Sequence, residues 1–581
     1  MSVSVPAARN AGASVHTLRS DSQWSLGPLT SPLQVSLSWV LARAGLLIAV
    51  AIALALGGMG LTDEGYGAAG GDMARFLMNG VFIHDLLVDR PLGGWSQFLE
   101  YTQLYYARYP ALSLGHHPVL LPILEALSFA VFGISVAAGR LVPLASLVAA
   151  VAFLHELVSR RYGRTAAFAA ATLFATSPMV ITFTRLVMAE MLSIALVLAS
   201  AYYLVRFCET ERRPPLVGCS VAFALSLYAK PQAILIGPAL LGTALAALPV
   251  RRLLKRDVMI AVAATLVAAA PALAVPLMVS ASNVRGVMGM AQSGSTTSFL
   301  SLLWAAFEPQ LAWPVLIVAA VGAARAMARR DPGSLLFLLW IAGVTPALFF
   351  FGGLMGEAPR YTLYWVPALC ALAGSLLTGW RTRVVPAVIA GTLAIGLTRQ
   401  VSEVGHYSTH AGGYEEAAQF VLAADPRATV LFSGDVDTGY FVFFVRKHDP
   451  ARRLIVLRSD KVYTTSIMQR PSVEDRIQRP DQIYAGLHQF GTRYVVLEDR
   501  PSESRVLEWL RQELKSPRFI ERRRIPIRTT DPRLRGTSLA IFELLDHTPQ
   551  DPNAVLSLNM PIVGRSLAVP LRDLIGRKLL R

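Results

Sequence analysis

Apolar residues come in two patterns along this chain, and the change between them falls near residue 400. Up to that point they form continuous runs separated by short polar breaks. Runs of about 17–25 residues match the length an α-helix needs to cross a bilayer. The pattern predicts about eleven spans, at roughly 38–59, 140–158, 165–182, 190–207, 216–229, 231–249, 258–280, 311–327, 334–352, 362–379 and 384–399. Residues 119–132 are apolar but short, and Pro122 and Glu125 interrupt them. After Arg399 the runs shrink to strand length. Thr429–Phe432, Leu454–Leu457, Tyr494–Leu497, Phe519–Ile527 and Ser538–Leu544 read as strands, and Tyr414–Ala423, 475–489 and Glu503–Leu514 as helices. Such alternation predicts a small α/β domain with a partly parallel sheet. The stretch Ala568–Arg581 alternates apolar and basic residues and reads as an interfacial helix or a loose tail.

Composition agrees with the runs. Of 581 residues, 54% are apolar and 16% charged, and the mean hydropathy is +0.47. A water-soluble chain this apolar would expose a large greasy surface, so a polytopic membrane protein is expected. Residues 1–37 are polar and Ser/Ala-rich, a disordered cytoplasmic leader. The first apolar run begins too far into the chain for an ordinary cleaved signal peptide. The three cysteines lie in or beside apolar runs, so the polar C-terminal part has no disulfide framework or Cys-based zinc site.

The net charge of +16 is explained by topology without nucleic acid. With 119–132 lying in the interface, the basic loops at Arg160/Arg161/Arg164, Arg206/Arg212/Arg213, Arg251/Arg252/Lys255/Arg256, Arg325/Arg329/Arg330 and Arg381/Arg383 all fall on one side. Counting 119–132 as a span would place every one of them outside, against the cytoplasmic bias of Lys and Arg. Three regions follow: the leader 1–37, a membrane domain 38–399 with a long external loop 60–139, and an extracytoplasmic α/β region 400–581.

The opposite-side loops carry nearly solitary cations: Arg185, Lys230, Arg285 and Arg360. Each could snorkel or pair with a nearby acid; several converging could hold a membrane-embedded phosphate. Asp63-Glu64 follows the first span. Asp63 reads as a general base for an acceptor hydroxyl or amine, or as the N-cap of a helix over Tyr66–Leu77, and Glu64 could share the role, position an acceptor or bind a cation. His116-His117-Pro118 opens the interfacial segment after Tyr105-Tyr-Ala-Arg-Tyr109-Pro110, a set that suits either a membrane anchor or a sugar- or phosphate-facing cleft. Adjacent histidines rarely share one metal ion without further ligands. Glu190 follows Arg185 at the entry to a span and could pair with it. Lys230-Pro231 sits near the outer surface, and Arg360-Tyr361 begins another span from the same side. Asp435-Val-Asp437 after a predicted strand could hold a divalent cation and a nucleotide sugar, but the sheet around it is too short for a full nucleotide-sugar domain.

Taken in order, these motifs resemble the GT-C glycosyltransferases of the dolichyl-phosphate-mannose-protein mannosyltransferase superfamily, which includes bacterial aminoarabinose transferases. The matching pieces are Asp63-Glu64 with Gly80, Tyr109-Pro110 with His117-Pro118, Gly133, Gly139-Arg140, Ser177-Pro178 with Arg185 and Glu190, Lys230-Pro231, and Arg360-Tyr361 with Pro367. They cover about residues 38–380. The resemblance implies an inverting transferase, metal-independent or weakly metal-dependent, whose donor is a polyprenyl-phosphate-linked sugar. It maps the first-loop acid onto Asp63 and the second-loop acid onto Glu190. Relatives often have Lys-Pro-Pro where this chain has His116-His117-Pro118, which leaves open whether a histidine, Lys230 or Arg360 takes the donor phosphate. It carries no functional residue into the C-terminal domain.

The expected protein is thus a polytopic α-helical membrane enzyme of GT-C type with a small extracytoplasmic α/β domain. Its partners are a polyprenyl-phosphate sugar, a glycan, lipid or protein acceptor and membrane lipids. No cofactor is required, since the leaving group is already a phosphate, and no Walker-type phosphate loop occurs. Two alternatives from other classes are a lipid or glycan transporter or flippase, and a non-catalytic envelope scaffold. The first predicts inverted repeats and midplane charges, whereas here the polar residues cluster at one membrane edge.

Overall fold

The computed structural model describes residues 32–63, 65, 72–91, 93–279, 306–355, 359–405, 409–434, 438–466, 473–500, 504–560 and 565–575. The chain divides into two compact units, Met1–Ala44 and Gly45–Arg581. Helix α1 (Pro32–Gly57) opens in the first unit. The second holds the rest of α1 and every later element.

The predicted external loop 60–139 is mostly helix: α2 (Asp72–Asp89), α3 (Trp95–Arg108) and α4 (Leu120–Phe132). The residues from Asp72 onward carry apolar positions on one face; α2 buries Met73, Phe76, Leu77 and Val81 and packs on α4. Next come α5 (Val136–Thr176), α6 (Pro178–Arg185), α7 (Glu190–Thr210), α8 (Arg213–Ala229), a 3-10 turn (Pro231–Ile236), α9 (Gly237–Ala247), α10 (Val250–Leu253) and α11 (Arg256–Val279). After them come α12 (Trp313–Arg329), α13 (Leu335–Met355), α14 (Pro359–Thr362), a second 3-10 turn (Leu363–Trp365), α15 (Val366–Ser375) and α16 (Val384–Glu403).

Two predicted spans, 140–158 and 165–182, lie along α5. Gly163 adopts φ 82° there and kinks it, a left-handed backbone that favours glycine. The second span stops early because Ser177 caps a new helix, accepting from the Val180 amide, with Pro178 at its first position. Among the described residues, four helices have the length and hydropathy of a crossing, not eleven: Val136–Thr176, Glu190–Thr210, Arg256–Met278 and Val384–Glu403. The others are shorter or broken, as at Pro231 and Leu363–Trp365. Arg256–Met278 and Val384–Glu403 leave most of their apolar surface outward, including Leu266, Val267, Met278, Val388 and Ile395. Greasy outer helices of this kind suit a hydrocarbon surround. α7 is the buried centre and packs on α5 and α8. α15 crosses α5 closely: a Cβ on Gly374 would lie 2.5 Å from the Ala166 carbonyl oxygen. Small residues at such a crossing let backbones approach, which is how membrane helices gain contact.

The C-terminal domain has β1 (Ala411–Gly412), α17 (Tyr414–Ala424), β2 (Thr429–Ser433), α18 (Thr438–His448), β3 (Ile455–Arg458), α19 (Ser459–Val462), β4 (Thr464–Ser466) and β5 (Val473–Asp475). It continues with α20 (Asp481–Gln489), β6 (Thr492–Glu498), α21 (Arg505–Glu513), β7 (Phe519–Pro526), β8 (Arg528–Thr529), β9 (Ser538–Leu544), β10 (Val555–Met560), β11 (Arg565–Pro570) and α22 (Leu571–Ile575). A five-stranded sheet runs β3-β2-β6-β9-β7. β3, β2 and β6 are parallel, and β9 is antiparallel to β6 and β7, so the expected partly parallel α/β sheet is present. The predicted helix 475–489 begins only at Asp481. The predicted interfacial helix 568–581 is instead the end of β11 and the short α22, because residues 565–570 pair with β10; 576–581 lie outside the described residues.

α18 had no counterpart in the sequence reading. Its Tyr440, Phe441, Phe443 and Phe444 are all buried, and it packs on α2. The contact is sealed by charge. Arg446 grips Asp85 of α2 through two bonds, Nε to Oδ2 at 2.8 Å and Nη2 to Oδ1 at 2.6 Å. The Tyr105 hydroxyl donates to Asp85 Oδ2 at 2.7 Å. Arg452 binds Asp89, which also accepts from Tyr101 at 2.8 Å. The C-terminal domain is therefore clamped to the helices of the first loop.

Candidate active site

Where α1 ends, Arg140 of α5 holds the turn that follows. Its Nη1 donates to the carbonyls of Gly60 (2.6 Å), Leu61 (3.1 Å) and Asp63 (2.9 Å). One buried guanidinium thus sets the backbone that presents Asp63, whose side chain is exposed. Glu64 lies outside the described residues, as do Arg285, Asp435 and Asp437.

Arg185 does not pair with Glu190. It donates from Nε (3.1 Å) and Nη2 (2.9 Å) to the Leu56 carbonyl in the last turn of α1. A guanidinium there satisfies a helix-end carbonyl and complements the dipole. Glu190 instead meets Lys230, which stands at the break between α8 and the 3-10 turn that Pro231 starts. The Lys230 ammonium lies 5.6 Å from the centroid of the Tyr361 ring, and the Arg360 guanidinium 5.1 Å from the same centroid. Two cations from separate segments therefore converge on one aromatic ring, an arrangement favoured by the ring quadrupole.

Arg360 also donates from Nη1 to Asp72 Oδ2 at 2.9 Å, and Asp72 faces Arg75 at 3.4 Å and His117 Nε2 at 3.8 Å. Burial alone would raise the Asp72 carboxyl, but His117, Arg75 and Arg360 hold it below its usual range. Asp72 is thus a fixed anion that orients Arg360, and a weak proton acceptor. His116 and His117 lie beside it, with the His117 ring tilted against the Phe76 ring at a centroid distance of 4.5 Å. Burial pushes the His117 imidazole down to about 3, so at physiological pH it is neutral and Arg75 and Arg360 carry the charge around Asp72; His117 adds its own charge only in strong acid.

The linkage has a sign that can be tested. A His held neutral in the fold, with a value of 6.5 when free, contributes its full stability above 6.5. As the pH falls toward 3 the unfolded chain takes up the proton first, and stability declines by about 1.4 kcal/mol per pH unit at most. The thermal midpoint of His117→Phe should accordingly fall less between pH 6.5 and 5 than that of the parent; equal slopes would show that His117 does not contribute to the acid sensitivity.

Tyr109, expected at the substrate, is elsewhere. It is fully buried 5.4 Å from the Tyr105 ring, in the aromatic row that α3 turns toward the C-terminal domain. The spacing of Tyr101, Tyr105 and Tyr109 places all three on one helix face, and that face is core. The sequence reading missed Asp72 and Arg75. Their signal was an acid and a base three apart in the first turn of a helix, ordinarily read as a capping pair. Among the described residues no group of three or more His, Cys, Asp or Glu side chains is arranged to hold a metal.

Comparison with known proteins bears on this geometry. Residues 116–276 match the family model described as dolichyl-phosphate-mannose-protein mannosyltransferase, a stretch that contains His116, His117, Arg185, Glu190 and Lys230. ArnT from Cupriavidus metallidurans, crystallised with undecaprenyl phosphate, superimposes with a TM-score of 0.53 at 15% identity, over 88% of this chain and 100% of that one. Its apo form gives 0.52 at 16% identity, over 89% and 100%. The fold is that of the GT-C glycosyltransferases. The oligosaccharyltransferase of Archaeoglobus fulgidus in its apo form shares this GT-C fold, with a TM-score of 0.52 at 13% identity over 79% of this chain and 70% of that one. No curated protein matches the chain in sequence. At these identities the likeness extends to the GT-C architecture, and the chemistry rests on the residues themselves.

Proposed function

We propose that this protein is a membrane glycosyltransferase that moves a hexosyl or pentosyl group from a polyprenyl-phosphate donor to a glycan, lipid or protein acceptor at the extracytoplasmic face. The observation that carries this reading is the convergence of Lys230 and Arg360 on the Tyr361 ring, with Glu190 and Asp72 behind them, in a GT-C fold. A similar structure, ArnT, is one bound to undecaprenyl phosphate.

The step needs few parts. The acceptor oxygen or nitrogen attacks the anomeric carbon and gives its proton to the Asp63 carboxylate. The bond from that carbon to the phosphate oxygen breaks, and the electron pair leaves with the polyprenyl phosphate. Arg360 and Lys230 stabilise the departing charge, Arg360 through paired N–H donors and Lys230 as a point charge. Both are already oriented by Asp72 and Glu190, so little reorganisation accompanies the reaction. His116 and His117 line the Asp72 side of the site. Glu64, the next residue in the chain, has the chemistry to position the acceptor. The leaving group makes a nucleotide unnecessary, and a divalent cation is at most an accessory.

Arg360→Gln is expected to weaken binding of polyprenyl phosphate to the purified protein by about 1.5–3 kcal/mol, the range for a hydrogen bond to a charged group. Unchanged affinity would remove the cation pair from the donor site. Topology is tested independently. With the three native cysteines replaced, a cysteine at exposed Ser96 should be labelled from the extracytoplasmic side and one at exposed Thr382 from the cytoplasm. Labelling of both from one side would overturn the orientation.

A further inference from the structure

The turn that presents Asp63 is held on both flanks. On one, Arg140 of α5 binds the Asp63 carbonyl at 2.9 Å. On the other, the Ala411 amide of β1 donates to the Gly65 carbonyl at 3.1 Å. β1 itself pairs with β8, Ala411 opposite Thr529. The C-terminal domain therefore reaches within two residues of the proposed base. Gly65 is buried, although Thr62 and Asp63 are exposed. A methyl group on Gly65 would lie 3.2 Å from the Ala411 carbonyl oxygen and 3.3 Å from Cζ of Tyr440 in α18. The backbone comes this close because glycine has no side chain to hold it away.

The residue before Tyr440 supports the other half of the site. A methyl group on Gly439 would lie 2.7 Å from Cβ of Ala74 in α2, well inside the ordinary carbon contact of about 3.5–4.0 Å. Ala74 stands between Asp72 and Arg75, in the turn whose Asp72 carboxylate accepts from Arg360 at 2.9 Å. Gly439 and Tyr440 are both buried. Adjacent residues of one helix thus meet the turn of the base and the turn of the anion that orients the phosphate-side cation. The other end of α18 is fixed to α2 as well, where Arg446 grips Asp85. With both of its ends held along α2, the first turn of α18 is a rigid support in a close-packed contact.

We infer that Gly439 and Tyr440, with the Ala411 amide, are positioning residues of the transfer site. They form one seat that fixes Asp63 relative to the Asp72–Arg360 pair, and they act through those groups. The base takes the acceptor proton while the cations take the departing phosphate, so the spacing of the two halves governs the rate. The α/β domain is thereby part of the catalytic unit. The effect on rate rests on the glycosyltransferase reading, whereas the seat rests on the contacts alone.

The full chain in lipid nanodiscs tests this through Gly439→Ala. The added methyl has to move by about 1 Å to reach an ordinary carbon contact. That shift should loosen the neighbouring seat. The Ala411 amide should then exchange its hydrogen about 3–10-fold faster, the worth of one hydrogen bond, read by mass spectrometry of peptides containing it. Adding Ala74→Gly removes the atom that the methyl meets. The double variant should return to parental exchange, a reversal that general destabilisation does not give. Unchanged exchange in Gly439→Ala, or no reversal in the double variant, would overturn the proposal.

The catalytic half is read as release of undecaprenyl phosphate from undecaprenyl-phosphate mannose and undecaprenyl-phosphate arabinose at saturating donor. Envelope extract from cells lacking the protein supplies the acceptor. A 1 Å misplacement of catalytic groups costs about 10²-fold, so Gly439→Ala should lower kcat by about that factor and the double variant should recover most of it. Gly65→Ala asks its neighbours to give by only a few tenths of an ångström. It should keep the fold and lower kcat about 3–5-fold. Parental kcat in both single variants would make α18 a packing helix and overturn its positioning role. A parent that releases no undecaprenyl phosphate from either donor would remove the glycosyltransferase reading, while the exchange response would still establish the seat.

Discussion

Asp63→Asn is expected to lower the rate of sugar transfer from a polyprenyl-phosphate donor by about 10²–10⁴-fold, the usual contribution of a positioned general base. The asparagine keeps the size and polarity of the carboxylate and loses only its ability to take the proton. Arg140 binds the backbone carbonyl at this position, a bond that the substitution leaves in place, so the turn is retained. Donor binding should therefore survive, and the loss should fall on kcat with KM for the donor little changed. The measurement is single-turnover transfer by purified variants at saturating donor. Parental turnover in Asp63→Asn would move the proton to another group. Asp72 is a poor substitute, because its oxygens face Arg75 and Arg360 and its carboxyl is held below the usual range. Glu190 pairs with Lys230. That leaves Glu64, for which the same substitution is the natural control.

The second large effect is on assembly. Asp85→Ala should destabilise the contact between the C-terminal domain and the first-loop helices by about 3–5 kcal/mol, the cost of removing one member of a buried ion pair. Arg446 would keep its charge at 5% exposure and lose both of its bonds, and Tyr105 would lose its acceptor. Removing both partners should be milder, so Asp85→Leu with Arg446→Met is expected to recover part of the loss. Thermal unfolding and limited proteolysis of the segment 409–560 would read the effect; an unchanged midpoint in Asp85→Ala would show that the apolar face of α18 suffices. The same pair has an acid signature. Although burial would raise it, His84, Arg446 and Arg452 hold the Asp85 carboxyl down to about 2. A carboxylate depressed in the fold contributes stability that is complete above its free value of 3.8 and is lost as the pH falls toward 2. The domain contact should therefore hold through mildly acidic conditions and release only in strong acid.

Much of this architecture was readable because it is encoded locally. A run of apolar residues bounded by polar ones specifies a membrane helix from its own length, and the change to short β-branched runs after Arg399 marked the α/β domain and the five strands of its central sheet. Single-residue punctuation was readable at Lys230-Pro231, which ends a helix, whereas the break at Ser177-Pro178 falls inside the predicted span 165–182. The errors have a common source. The 438–448 segment has aromatic residues nearly all round, so no period distinguished helix from strand, and only burial on both sides explains it. Tyr109 has the residue type of a cleft and the position of a core residue.

By itself, then, the sequence determined the class of protein, the five strands of the central sheet and the helix break at Lys230-Pro231, because those properties depend on neighbours along the chain. The partners of those residues were decided by tertiary structure alone. Arg360 finds Asp72 across 288 positions and Arg446 finds Asp85 across 361. No local pattern distinguishes Glu190–Lys230 from Glu190–Arg185, since both pairings satisfy the charges equally well on paper. The break at Pro231 brings Lys230 to Glu190, and the end of α1 draws Arg185 to a free carbonyl. A buried charge takes the partner that packing places within reach, and packing is a property of the whole fold.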